Sequence, residues 1–96
     1  MRTHKDLEVW KKSVELVTSI YKLTSNFPRE EMFGLTNQIR RSAVSVPGNI
    51  AEGAARQSAK EFVHFLSISL GSQQDLETQL LISKNLTFMT ETEYLT

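Results

Sequence analysis

Two adjacent arginines, Arg40 and Arg41, stand in the segment GLTNQIRRSAVSVPGNIAEGAAR, which runs from Gly34 to Arg56. A guanidinium fork suits the oxygens of a phosphate, so the chemistry on offer is anion binding. Arg56 and Lys60 extend the same basic stretch downstream. In a single copy two arginines are usually a solvated face, but in a ring of subunits the pair recurs around the axis and forms a basic belt. Ser45, Asn49 and Glu52 lie among these residues. Residues three and four apart share helix surface, so the three are assigned to a hydrogen-bonded polar network stitching helices or subunits together, with ligand contact as the alternative. No aromatic stacking platform accompanies the arginines along this stretch. Nucleic acid is therefore expected to be held by its phosphates and shape, with little reading of bases.

Other chemistries find no footing in the sequence. There is no cysteine, which removes disulfides, thiolate metal sites and cysteine nucleophiles. His4 and His64 are far apart, and neither has a partner at helical spacing that completes a ligand pair, so no metal site is expected. Glu30 with Glu31, and Asp75 with Glu77, read as solvated helix residues, because close neighbours on a helix diverge. No phosphate-binding loop, dinucleotide fingerprint or nucleophile motif is present. The reading is a non-enzymatic protein without catalytic residues, metal or cofactor.

The elements that must position the arginines are helices. On a helical wheel Leu35, Ile39, Ala43, Val46, Ile50 and Ala54 fall in one apolar sector, with Gln38, Arg41, Ser45, Gly48, Asn49, Glu52 and Arg56 opposite. Pro47 should bend or loosen this helix near Ala43. Ahead of it, Thr3 and Asp6 have capping-box spacing and a helical pattern runs over about 6–25. That first helix carries two apolar stripes: Leu7, Trp10, Val14, Val17 and Tyr21 on one side, and Val9, Leu16, Ile20, Leu23 and Phe27 nearly opposite. A surface helix needs only one such face. The second stripe is therefore assigned to a subunit interface through Val9, Leu16, Ile20 and Leu23, with one broad core face as the alternative.

Pro28 opens the next helical segment, and the central helix with its leading turn covers about 29–55. Ser58 and Glu61 form a second capping box ahead of the longest helix, over about 58–87, whose main stripe is Phe62, Phe65, Leu66, Ser69, Gln73, Leu76 and Leu80. Gly71 lies on its other side beside Ile68 and Ile82. Glycine inside a helix costs about 1 kcal/mol relative to alanine, which a closely approaching helix would offset. Ile68 and Gly71 join the interface assignment on that ground, with a neutral surface glycine as the equal alternative. Thr90 and Glu93 form a third capping box, so a fourth helix starts over 90–96. No strand-like alternation or internal repeat appears, and the fold class is all-α in one domain over 1–96.

Composition is that of an ordinary soluble domain. Eleven basic and eleven acidic residues balance, which excludes a protein that coats nucleic acid with its whole surface. The balance is uneven: residues 35–60 carry Arg40, Arg41, Arg56 and Lys60 against Glu52, whereas residues 61–96 carry Lys84 against five acids. No apolar run reaches the length of a signal peptide or a membrane span, so no membrane partner and a cytoplasmic location are expected.

The blocks DLEVWKKSVELV, FPREEMFGLTNQIRRSAVSVPGNIAEG and EFVHFLSISLGSQQDLETQL closely resemble the family of small four-helix-bundle proteins encoded in intervening sequences of bacterial large-subunit ribosomal RNA genes. The match covers roughly residues 4–88, and Arg40, Arg41, Asn49, Glu52, Gly53, Gly71 and Ser72 carry the family pattern. The resemblance implies an up-down four-helix bundle that assembles as a ring-shaped homopentamer. It further implies a distant relation to the accessory variability protein of diversity-generating retroelements, a basic pentamer that binds nucleic acid and reverse transcriptase. Two departures stand out. The fourth helix reads as truncated in this chain, and its near-zero charge contrasts with the strongly basic retroelement relatives. The functional expectation is an oligomeric bundle that binds structured RNA or DNA through Arg40, Arg41, Arg56 and Lys60. The alternatives are a self-assembling protein scaffold in which the arginines complete salt bridges, and a pocket or pore along a ring axis.

Overall fold

The computed structural model describes residues 3–95. Among them the elements are a 3-10 turn at His4–Asp6, helix α1 at Glu8–Thr24, a second 3-10 turn at Arg29–Glu31, α2 at Leu35–Ala54, α3 at Ala59–Asn85 and α4 at Glu91–Leu95. No strand occurs among the described residues, and the fold is all-α. Thr96, the end of the expected fourth-helix turn, lies outside them. No helix is long and apolar enough to cross a membrane among the described residues.

Helix boundaries follow from their caps. The Thr3 box forms, with the Thr3 amide donating to Asp6 Oδ2 at 3.0 Å, but it closes only the short 3-10 turn. Leu7 then takes an extended conformation, φ −83° and ψ 124°, and α1 begins at Glu8, two residues later than the expected start. At α3 the Ser58 hydroxyl accepts from the Glu61 amide at 3.1 Å. At α4 Thr90 and Glu93 exchange reciprocal bonds of 2.8 and 3.0 Å. The carboxyl end of α3 closes with paired bonds from the Thr87 amide to the Lys84 carbonyl and from the Phe88 amide to the Ser83 carbonyl, both 2.9 Å. This is the Schellman arrangement, which places Thr87 at φ 65°, a position glycine usually fills.

Helix α2 is the spine. Its Ile39, Ala43, Val46 and Ile50 are buried, and the helix runs unbroken through Pro47. Helices α1 and α3 both pack against it, and their side chains meet in a shared core, Ile20 of α1 with Leu76 of α3. Partners across the α2–α3 seam run in opposite directions: Ser45 meets Ser72, Val46 meets Ser69, and Gly53 meets Phe62 and Phe65. The two helices are therefore antiparallel. Small residues let them approach: the Ser69 hydroxyl donates to the Val46 carbonyl at 2.9 Å, and a Cβ on Gly53 would meet Phe65 Cβ at 2.9 Å. The core unites Ile20 and Phe27 with Ile39, Ala43, Leu76 and Met89, and Leu16, Val17, Leu23, Leu80, Phe88 and Tyr94 pack around it.

This core corrects the reading of α1. Ile20, assigned to a subunit interface, is only 4% exposed and sits among core residues of its own chain. Leu16 and Leu23 also pack against that core. Of the first-helix interface set, Val9 alone is well exposed, at 54%. The physical reason is that α2 and the turn around Phe27 fold back over the end of α1. Periodicity on one helix cannot reveal how far round it a partner reaches. On α3, Ile68 is exposed, and Gly71 faces open space within its own chain.

Candidate nucleic-acid interface

Antiparallel folding of α1 against α2 brings the last turn of α1 to the first turns of α2, and with it a set of side chains remote in sequence. Arg40 is half-buried there. Its Nε donates to Thr24 Oγ1 at 2.9 Å, and Nη2 reaches the Tyr21 carbonyl at 3.5 Å. The Thr24 hydroxyl is itself buried and donates to the Ile20 carbonyl at 2.7 Å, which fixes its lone pairs toward the arginine. The guanidinium carbon lies 4.6 Å from the centre of the Tyr21 ring, a cation–π stack. Arg40 is thus held at its inner edge, and the outer part of its fork remains free.

Arg41, one residue on, is exposed and has no ion-pair or hydrogen-bond partner among the described residues. Both arginines line an open cavity of about 490 Å³ together with Tyr21, Asn37, Val44 and Ser45, and no carboxylate lines it. Two positive charges facing one cleft without a counter-charge make a site for an anion.

Arg56 and Lys60 do not join this cavity. From Arg40 to Ala54, the end of α2, the helix rises roughly 21 Å at 1.5 Å per residue, and Arg56 lies two residues beyond it. Arg56 pairs with Glu52 and stacks over Phe65 at 4.9 Å, so much of its charge is balanced locally. Lys60 is exposed in the first turn of α3. The four basic residues form two groups, one on the first turns of α2 and one at the α2–α3 connection, instead of one continuous belt.

The polar residues divide similarly. Ser45 Oγ and Ser72 Oγ lie 2.8 Å apart, and Asn49 Nδ2 donates to the Ser45 carbonyl at 2.8 Å and to Ser45 Oγ at 2.9 Å. The Ser45–Ser72 bond joins α2 to α3 beside the arginine cavity, and Asn49 braces Ser45 from within α2. Glu52 is outside the set, turned to Arg56.

Residues 5–96 match the family described as 23S rRNA-intervening sequence protein. The chain belongs to that family. Comparison with curated proteins finds no match. In this family member the two histidines are on aromatic neighbours, His4 at 4.9 Å from Trp10 and His64 at 5.3 Å from Phe65. No group of three or more metal-ligating residues converges among the described residues.

Sequence reasoning missed Tyr21 and Thr24. By sequence spacing Tyr21 belongs to an apolar stripe, and the arginines have no aromatic companion. That expectation is corrected: the companion comes from α1, nineteen residues upstream. The signal that could have found it is the short turn after Thr24, which forces the end of one helix beside the start of the next.

Proposed function

We propose that this chain is a non-enzymatic helical-bundle protein that binds structured RNA or DNA, with the Arg40–Arg41 end of α2 as its contact. The observation that carries the reading is the pair of guanidinium groups lining one cavity without a carboxylate, Arg41 having no partner among the described residues. The first of the pair is already immobilised, so less side-chain entropy is lost on binding.

Assembly with further copies of the chain, a pentamer by the resemblance, fits a second observation. Val63, Ile68, Leu70, Leu81 and Ile82 are all exposed on α3, and Phe33 is 95% exposed ahead of α2. A helix that is apolar on several sides is suited to burial between neighbours. This face also supports the rival function, a protein scaffold with no nucleic-acid role.

Fluorescence anisotropy of labelled structured RNA and duplex DNA across a salt series separates the two. Each phosphate contact contributes about −0.9 to the slope of log affinity against log salt. Arg40 and Arg41 together give a slope of roughly −2 per bound chain. Association that is strong yet insensitive to salt, measured between copies of the chain, would favour the scaffold.

A further inference from the structure

The cavity beside the arginines has more than charge. A phosphate on a duplex backbone needs only exposed cations, whereas here about 490 Å³ of space is bounded by an aromatic ring, a flat guanidinium stacked on it, and an amide. The cleft is open to solvent, so a ligand there rests on one face and keeps the other exposed. Tyr21 is 43% exposed despite its contact with Arg40, so part of its ring is open to a ligand. Asn37 has no side-chain hydrogen bond among the described residues, leaving an acceptor and two donors for a heterocycle edge.

We propose that the Tyr21–Arg40–Arg41 cavity takes one unpaired nucleotide of an RNA or DNA strand. Its base stacks on the Tyr21–Arg40 platform, and its phosphate is held by Arg41 and the outer N–H groups of Arg40. Aromatic rings and arginine planes are the surfaces on which unstacked bases rest, and a base inside a duplex cannot reach them. Thr24 serves as a positioning residue, because its hydroxyl fixes the inner edge of the guanidinium. The inference rests on the nucleic-acid reading above and adds that a single-stranded element is what the site selects. An acidic protein segment would satisfy the arginines, but it would make no use of the ring.

The test compares a short labelled single-stranded oligonucleotide with a blunt duplex of the same sequence, using native protein and Tyr21→Leu, Tyr21→Phe and Arg41→Gln variants whose helicity is checked by circular dichroism. Loss of a stacked base lowers affinity by about tenfold or more. Tyr21→Leu should therefore weaken the single strand by about tenfold and the duplex by no more than about twofold, through the lost stack on Arg40, while Tyr21→Phe stays within about twofold of native on both. Arg41→Gln should weaken both probes. If both probes bind with the salt dependence described above and Tyr21→Leu alters neither or both equally, the nucleotide site is refuted while the basic-face reading survives. If the native protein binds neither probe at low salt, both readings fall.

Discussion

Three helical glycines offer the same substitution with opposite expected signs. A methyl added at Gly53 would lie 2.9 Å from Phe65 Cβ, 3.0 Å from Phe62 Cδ1 and 3.3 Å from the Phe62 carbonyl oxygen. The Phe62 ring can rotate away. Phe65 Cβ and the Phe62 carbonyl move only with the backbone of α3, so the antiparallel seam must open. Overpacking of this kind costs about 1–3 kcal/mol. Against it stands the helix-propensity gain of alanine, about 1 kcal/mol at a helix centre and less here, one residue from the end of α2. The net for Gly53→Ala is a destabilisation of about 1–2 kcal/mol. Among the described residues nothing lies within 4 Å of a Cβ at Gly48 or Gly71. There the propensity gain stands alone, and each alanine should stabilise by about 1 kcal/mol. In a domain of this size 1 kcal/mol moves Tm by about 4–8 °C. Thermal unfolding followed by circular dichroism at matched concentrations reads all three. Gly53→Ala melting at or above the native temperature would refute the close-packed seam. A concentration-dependent loss in Gly71→Ala would instead place a neighbouring chain against that glycine.

Two further substitutions act on local defects of the monomer. The Thr36 side chain is 2% exposed and its hydroxyl has no hydrogen-bond partner; Thr36→Val should stabilise by about 1 kcal/mol in urea denaturation, since a buried unsatisfied hydroxyl costs about 1–3 kcal/mol. Thr87 occupies the left-handed position of the α3 cap; Thr87→Gly should raise stability by about 0.5–1 kcal/mol in the same assay, the relief of strain being partly offset by the greater freedom of unfolded glycine.

The buried face of α2 was legible because its spacing is regular: Ile39, Ala43, Val46 and Ile50 all go to the core. The caps at Ser58 and Thr90 were legible for the same reason, as local patterns. What the sequence concealed depends on contacts between helices. Nothing in the local sequence marks Gly53 as a position where α2 and α3 pack with no room for a Cβ, because that is set by Phe62 and Phe65 on the other helix. Ile20 read as interface because α1 has two stripes, and only the packed structure shows that α2 and the Phe27 turn reach far enough to bury it. At the site, Arg40 and Arg41 were visible by residue type. Their stacking partner was not, because Tyr21 looks like any apolar helix position until the chain doubles back. The basic stretch also read as continuous, since sequence spacing does not show that Glu52 balances Arg56 at the far end of α2.

The most direct test of the nucleic-acid reading is the affinity for a labelled structured RNA at low salt of the native protein, the Arg40→Glu/Arg41→Glu variant and the single Arg41→Glu variant. Arg41 is exposed and without partners among the described residues, so its replacement leaves the fold undisturbed even if reversal of the clamped Arg40 perturbs the end of α1. The reading predicts binding by native protein that weakens as salt rises, and a loss of at least about tenfold in Arg41→Glu with helicity retained. Native protein that fails to bind at low salt, or a folded Arg41→Glu variant that binds as tightly as native, would contradict it.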